Sequence, residues 1–158
     1  SNSQSLEPGD LMLLDVGALH NRYAADISRT WSIGTGAPTQ RQKDIHAHVL
    51  QVQHYAMGLL KPGVMLREYQ KQVEEYHNKQ AKKLGIEADN YPHGISHFLG
   101  LDVHDAGDYS EPLVEGTVLT VEPGIYLPDE GIGVRIEDDI IITSDGMRNL
   151  SARISTDL

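Results

Sequence analysis

Apolar positions along this chain follow two different periods. Leu11–Val16 (LMLLDV) is a short, nearly continuous apolar run, which predicts a strand buried on both faces. Ala18–Arg22 is more polar, and Tyr23–Ile33 then supplies the β-formers Tyr, Ile, Thr and Trp, so the two runs read as a β-hairpin with its turn on His20-Asn21. Gly34–Pro38 is a breaker cluster. Beyond it Ile45, Val49, Val52, Ala56, Leu59 and Leu60 recur near the helical period, behind a Thr39-x-x-Gln42 capping box, and Pro62-Gly63 ends the run. Leu66–Leu84 predicts a second helix, closed by Lys82, Lys83 and Gly85. From Tyr91 onward glycines multiply and short β-rich runs return at Val118–Glu122, Ile132–Glu137 and Asp139–Thr143. This order predicts an α+β fold: a hairpin, two helices, then a mostly antiparallel sheet.

Composition narrows the function classes. A chain of 158 residues, 39% apolar and 23% charged, suits one domain with a core of its own. Its net charge of −10 repels phosphate backbones and anionic lipid, so neither nucleic acid nor membrane is expected as a partner. There is no Cys, which removes disulfides, thiolate nucleophiles and Cys-type zinc sites, and fits a reducing, cytoplasmic compartment. The apolar runs Leu11–Leu14 and Ile140–Ile142 are too short to span a bilayer. The opening Ser-Asn-Ser, without Met, fits a piece cut from a longer protein.

The carboxylates carry the first chemical signal. Asp15 follows four apolar residues in a strand, and Asp26 sits between Ala25 and Ile27. Buried, unpaired carboxylates are costly and call for cations or several donors. A turn centred on His20-Asn21 sets Asp15 opposite Asp26, where like charges destabilise a sheet unless a cation lies between them. A second turn centred on Asp129-Glu130 sets Glu122 opposite Glu137 in the same way, with Pro123 and Pro128 interrupting the ladder. Four carboxylates in two facing pairs match the charge of two divalent ions. The bland alternative is solvated acids flanking turns, or an Asp paired with Arg29. Asp138 and Asp139 are expected to point outward or to cap a bend.

The segment from Pro92 to Asp105 holds His93, His97 and His104, three of the eight histidines. Pro92, Gly94 and Gly100 argue against a helix there. Three histidines beside four strand-borne acids point to a site, although spacing alone does not choose among them. His46, His48, His54 and His77 read as ordinary helix-surface or interfacial residues. No nucleophile elbow, phosphate loop or dinucleotide fingerprint is present.

The string HGISHFLGLDVHDAG (His93–Gly107) closely resembles the signature of Xaa-Pro aminopeptidases (aminopeptidase P) and the related prolidases. DVGALHNRYAADISRTW (Asp15–Trp31), VLTVEPGIYL (Val118–Leu127) and GIGVRIEDDIIIT (Gly131–Thr143) resemble the other blocks of that family, in the same order, from about Gly9 to Ala152. The resemblance implies a pita-bread fold and a two-metal peptidase. Residues 1–158 would then form most of one catalytic domain, without the separate N-terminal domain, the start of the catalytic domain, or a substrate-binding His found upstream in relatives.

Carried over by motif, Asp15, Asp26, His97, Glu122 and Glu137 would ligate the metals, with Asp26 and Glu137 bridging both. His93, His104 and Arg135 match positions that bind substrate or stabilise the transition state, and Glu122 would also carry the proton. The resemblance implies two divalent ions, manganese first and cobalt, iron or zinc as alternatives, with a metal-bridging hydroxide as nucleophile. The implied substrate is a peptide with proline at its second position. Gly-Ile-Ser-His favours the aminopeptidase, whereas Phe98 occurs readily in prolidases, which take only dipeptides. A non-catalytic binding module of the same fold should have lost ligands, and none is lost here. Apolar surface left uncovered around Leu11–Val16 predicts a homo-oligomer.

Overall fold

A computed structural model of the chain describes residues 5–87 and 93–158, so Pro92 and the opening Ser-Asn lie outside the described residues. The first hairpin is built from β1 (Leu11–Val16), β2 (Leu19–His20), β3 (Tyr23–Ala24) and β4 (Ile27–Ser32). β1 pairs with β4 and β2 with β3, in one continuous antiparallel register. The turn sits on Asn21-Arg22, whose φ angles of 50° and 76° are both positive. A two-residue turn with positive φ at both positions matches the strand twist, and Asn enters that region readily, so the turn settles one residue later than expected. The strand predicted over Tyr23–Ile33 is therefore split in two. β1 is also less buried than its composition suggests: Leu14 is 39% and Val16 51% exposed, because among the described residues only β4 pairs with it.

α1 (Gln40–Leu59) carries the predicted capping box, with Thr39 accepting from the Gln42 amide and the Gln42 side chain accepting from the Thr39 amide. α2 (Leu66–Ala81) runs into a 3-10 turn over Lys82–Leu84, and Gly85 closes it at φ 69°. The remaining strands are β5 (Val118–Val121), β6 (Gly124–Leu127), β7 (Ile132–Arg135), β8 (Asp138–Ile142) and β9 (Met147–Asn149). β5–β8–β9 form one antiparallel sheet and β6–β7 a second.

The core has two parts, both seated on α1. Val52 and Ala56 pack with Val73 of α2 and with Leu119, Val121, Ile140 and Ile142 of the β5–β8 pair. Ile45 and Val49, nearer the start of α1, pack with Ile125 and Val134 of the β6–β7 pair. One helix thus spans two consecutive strand pairs and holds the junction between them, where the acids lie. Among the described residues no helix is long and apolar enough to cross a membrane.

Candidate metal centre

Both hairpins interrupt their ladders at acidic residues. In the first, Gly17 and Ala18 face Ala25 and Asp26 between the two ladder segments, with Ala25 N–H donating to Ala18 O at 2.9 Å. A Cβ on Gly17 would fall 1.8 Å from Ala25 O, so only glycine allows this approach. Asp15 faces Ser28, not Asp26. The one-residue displacement of the turn moves the pairing by two positions, which keeps Asp15 and Asp26 on the same face as diagonal neighbours.

In the second hairpin β5–β8 and β6–β7 share one register, broken at Glu122-Pro123 and Ile136-Glu137. That register sets Glu122 opposite Glu137, as the turn centre predicts. Pro123 has no N–H to continue the ladder. The amides of both acids turn elsewhere, Glu122 N–H to Ile95 O at 2.8 Å and Glu137 N–H to Ser28 O at 3.0 Å. The first draws in the histidine segment and the second the first hairpin. Thr120 completes the join: its amide donates to His97 O at 3.0 Å, and its Oγ1 accepts from His97 N at 3.2 Å.

The side chains converge on one cavity of about 610 Å³ lined by Asp15, Asp26, His93, His97, His104, Glu122, Arg135 and Glu137, every residue that the sequence nominates. His97 Nε2 lies 3.6 Å from both Asp26 Oδ2 and Glu122 Oε1. Asp26, His97 and Glu137 each bring one ligand atom within 4.8 Å of the others. His97 Nδ1 is 3.0 Å from Phe98 O. A carbonyl only accepts, so Nδ1 carries the proton and Nε2 offers a lone pair toward two carboxylates. That is the tautomer and orientation of a metal ligand. His104 stands at the exposed mouth, its ring edge-on to His97 at 4.2 Å. His93 Nε2 is 3.1 Å from the Tyr126 hydroxyl.

The electrostatics describe a centre short of positive charge. Burial pushes the Glu137 carboxyl up to about 8, and Glu122 and Asp26 add to the shift while the Ser28 hydrogen bond opposes it. Burial also raises Glu122, and burial together with Asp15 raises Asp26. Arg135 is the one Lys or Arg among the cavity's lining residues. It pairs with Asp15, lies 3.7 Å from Glu137 Oε2, and donates to Ser28 Oγ at 2.8 Å and to the Tyr126 hydroxyl at 2.9 Å. One guanidinium cannot neutralise four carboxylates. Oxygen-rich donors with one imidazole suit hard or borderline divalent ions, so the residues fit the implied metals.

One expectation fails beside the site. Asp138 and Asp139 do not point outward; they are 3% and 5% exposed. Asp138 is paired with Arg29 at 2.5 Å, and the Asp139 carboxylate receives the Asp26 amide at 3.3 Å. Burial lifts Asp139 to about 7. The helix histidines divide: His46, His48 and His77 are buried, the last two 3.0 Å apart between α1 and α2, whereas His54 is exposed. Sequence reasoning passed over Ser28 and Tyr126. Strand alternation carried the signal, since Ser28 shares a face with Asp26, and Tyr126 lies an even number of residues from Glu122.

Known proteins resemble this chain in sequence and in fold. The profile of metallopeptidase family M24 matches residues 1–144. The chain is 39% identical to the Xaa-Pro aminopeptidase of Escherichia coli, the match covering 97% of this chain and 40% of that protein. It is 38% identical over 155 residues to the Xaa-Pro dipeptidase of Pyrococcus furiosus, covering 96% and 42% respectively. Zinc-substituted E. coli aminopeptidase P in complex with product superposes with a TM-score of 0.88 at 37% identity, over 98% of this chain and 40% of that one. The prolidase of Pyrococcus horikoshii gives a TM-score of 0.83 at 35% identity, over 96% and 42%. The chain therefore spans about 40% of these relatives and shares their pita-bread fold. With its acids, histidines and broken hairpins arranged on that fold, the chain belongs to metallopeptidase family M24.

Proposed function

We propose that this chain carries the two-metal centre of an Xaa-Pro aminopeptidase, which hydrolyses the bond between the first residue of a peptide and a proline in second position. The observation that carries the reading is the convergence of Asp26, His97, Glu122 and Glu137 with their ligand atoms turned inward and too little positive charge nearby. Asp15, Asp26, His97, Glu122 and Glu137 would hold the two ions. Manganese is the first choice for this donor set. Bound there, divalent ions supply Lewis-acid polarisation of the scissile carbonyl and activate water near neutral pH.

The chain's own residues do the rest. Glu122, held above its ordinary carboxyl range by burial, takes the proton from water and passes it to the departing proline nitrogen. His104, exposed at the mouth beside His97, donates a hydrogen bond to the oxygen that gains charge, and His93 joins it once its ring turns from the Gly94 carbonyl and the Tyr126 hydroxyl that hold it. Arg135 lines the cavity floor and fixes Asp15 and Tyr126, which shapes the surface that receives the substrate.

The runner-up is a prolidase restricted to Xaa-Pro dipeptides, supported by the near-equal identities to the aminopeptidase and the dipeptidase. Metal analysis followed by parallel assays on Xaa-Pro-Yaa and Xaa-Pro peptides, using the full-length enzyme, separates them. Release of the first residue from tripeptides supports the aminopeptidase. Cleavage of dipeptides alone supports the prolidase, and release of Met from Met-Ala-Ser with no action on proline peptides rejects both.

A further inference from the structure

Arg29 lies outside the cavity, on the face of β4 opposite Ser28, and is 2% exposed. An arginine has five N–H groups in a rigid fork. Here Nε donates to Ser155 O at 2.9 Å, and one terminal nitrogen donates to Ser28 O at 2.8 Å and Glu137 O at 2.6 Å. The other donates to Asp138 Oδ1 at 2.5 Å and Ile154 O at 3.2 Å. Every donor is used, and four of the five acceptors are backbone carbonyls from three separate segments. Asp138 is held in turn by Asn149 Nδ2 at 2.8 Å.

This arrangement surrounds Glu137 at the point where its own ladder is broken. The Glu137 amide donates to Ser28 O at 3.0 Å, and its carbonyl accepts from Arg29. Its carboxylate accepts from Ser28 Oγ at 2.7 Å. All three contacts come from two consecutive residues of β4. A buried ion pair is weak evidence for stability, because apolar pairs of similar volume do as well or better. Stability alone therefore does not account for an arginine here, whereas fixing a carboxylate beside a cation does, since groups behind a ligand set its orientation.

We propose that Arg29, neutralised by Asp138, is a positioning residue that fixes the Glu137 backbone and the adjoining Ser28 so that the Glu137 carboxylate is presented to a divalent ion. The proposal rests on the two-metal reading above and goes beyond it by assigning a function to a pair that touches neither metal nor substrate.

The test uses metal-free full-length protein titrated with Mn²⁺ by calorimetry, beside thermal unfolding of the same samples. Wild-type protein is titrated first; failure to take up Mn²⁺ overturns the two-metal reading and this proposal with it. Arg29→Lys keeps the charge but loses the fork, and Arg29→Met with Asp138→Leu replaces the ion pair by apolar side chains. Both are compared with Val52→Ala, a core truncation on α1 away from the site. We expect folded Arg29→Lys to bind Mn²⁺ about 10- to 100-fold more weakly, with activity regained in excess Mn²⁺. Val52→Ala, although less stable, should bind as tightly as wild type. The double variant, where it folds, should bind at least as poorly as Arg29→Lys; if it does not fold, Arg29→Lys decides alone. Wild-type affinity in folded Arg29→Lys overturns the proposal, as does an equal loss of affinity in Val52→Ala.

Discussion

Ser28 Oγ donates to Glu137 Oε2 at 2.7 Å and accepts from Arg135 Nε at 2.8 Å, so one hydroxyl joins the most buried acid of the centre to its guanidinium. The bond orients the carboxylate from behind and favours its charged form. Ser28→Ala removes the hydroxyl at little cost in volume. Affinity for Mn²⁺ should fall by about 10- to 100-fold with the fold intact. Calorimetric titration against wild type checks this, and unchanged affinity would show the hydroxyl to be a bystander.

Glu137→Gln should separate function from stability. The variant should hold less metal and lose turnover, because one carboxylate of the proposed centre is gone. Its metal-free stability should move the other way. The Glu137 carboxyl sits near 8 when folded against an ordinary 4.5, so metal-free wild type loses stability as pH climbs from about 4.5 to 8. Above that range the buried charge costs on the order of a few kcal/mol, which Gln does not incur. Denaturant unfolding of both proteins in chelator at pH 5 and pH 8.5 reads the difference. A variant that is less stable than wild type at pH 8.5 contradicts this account, and full activity contradicts the ligand assignment.

The acids and their strand-borne setting are legible because a carboxylate among apolar strand residues is anomalous at the level of single residues, but burial does not hold for Asp15, whose side chain is 49% exposed because β4 is the one described strand that pairs with β1. The Glu122–Glu137 register followed from one turn centre, since β5–β8 and β6–β7 keep the same register across their break. The Asp15–Asp26 register missed by one turn residue because Asn21-Arg22, not His20-Asn21, took the positive φ angles. Asp138 and Asp139 depart from the outward orientation expected of them for a different reason. Their partners, Arg29 and the Asp26 amide, lie more than 100 residues away in sequence, and no local pattern announces them. Spacing does not choose His97 over His93, since each ring sets Nδ1 on the carbonyl of the next residue; the difference is that Nε2 of His97 faces Asp26 and Glu122 whereas Nε2 of His93 meets the Tyr126 hydroxyl, which no sequence pattern shows.

His48 and His77 form a buried pair between α1 and α2 that should make stability depend on pH independently of the metals. Burial lowers both to about 4 from an ordinary 6.5, with the neighbouring ring contributing at His48. The unfolded chain therefore binds protons that the folded chain resists. Stability contributed by the neutral pair is present above about 6.5 and is lost as pH falls toward 4. His77→Phe should flatten that slope. Denaturant midpoints of metal-loaded protein between pH 4.5 and 7.5 test this, and an equal slope in wild type and variant rejects it.

His104 offers the sharpest division between holding metal and using it. Its ring stands edge-on to His97 at 4.2 Å, is exposed at the cavity mouth, and belongs to the loop that follows the ligand segment. It ligates nothing in the proposed centre, so His104→Ala should leave Mn²⁺ affinity within about twofold of wild type, since the ligand atoms and the groups behind them are unchanged. Turnover should fall on the order of 10²- to 10³-fold, the usual cost of removing a donor aimed at developing charge. The loss should appear in kcat more than in KM, because the bond strengthens only as the carbonyl oxygen gains charge. His104→Gln, which keeps an N–H donor, should recover part of the rate. A variant that loses metal and activity together would move His104 into the ligand set. One that raises KM alone would make it a substrate-binding residue with no part in the chemical step.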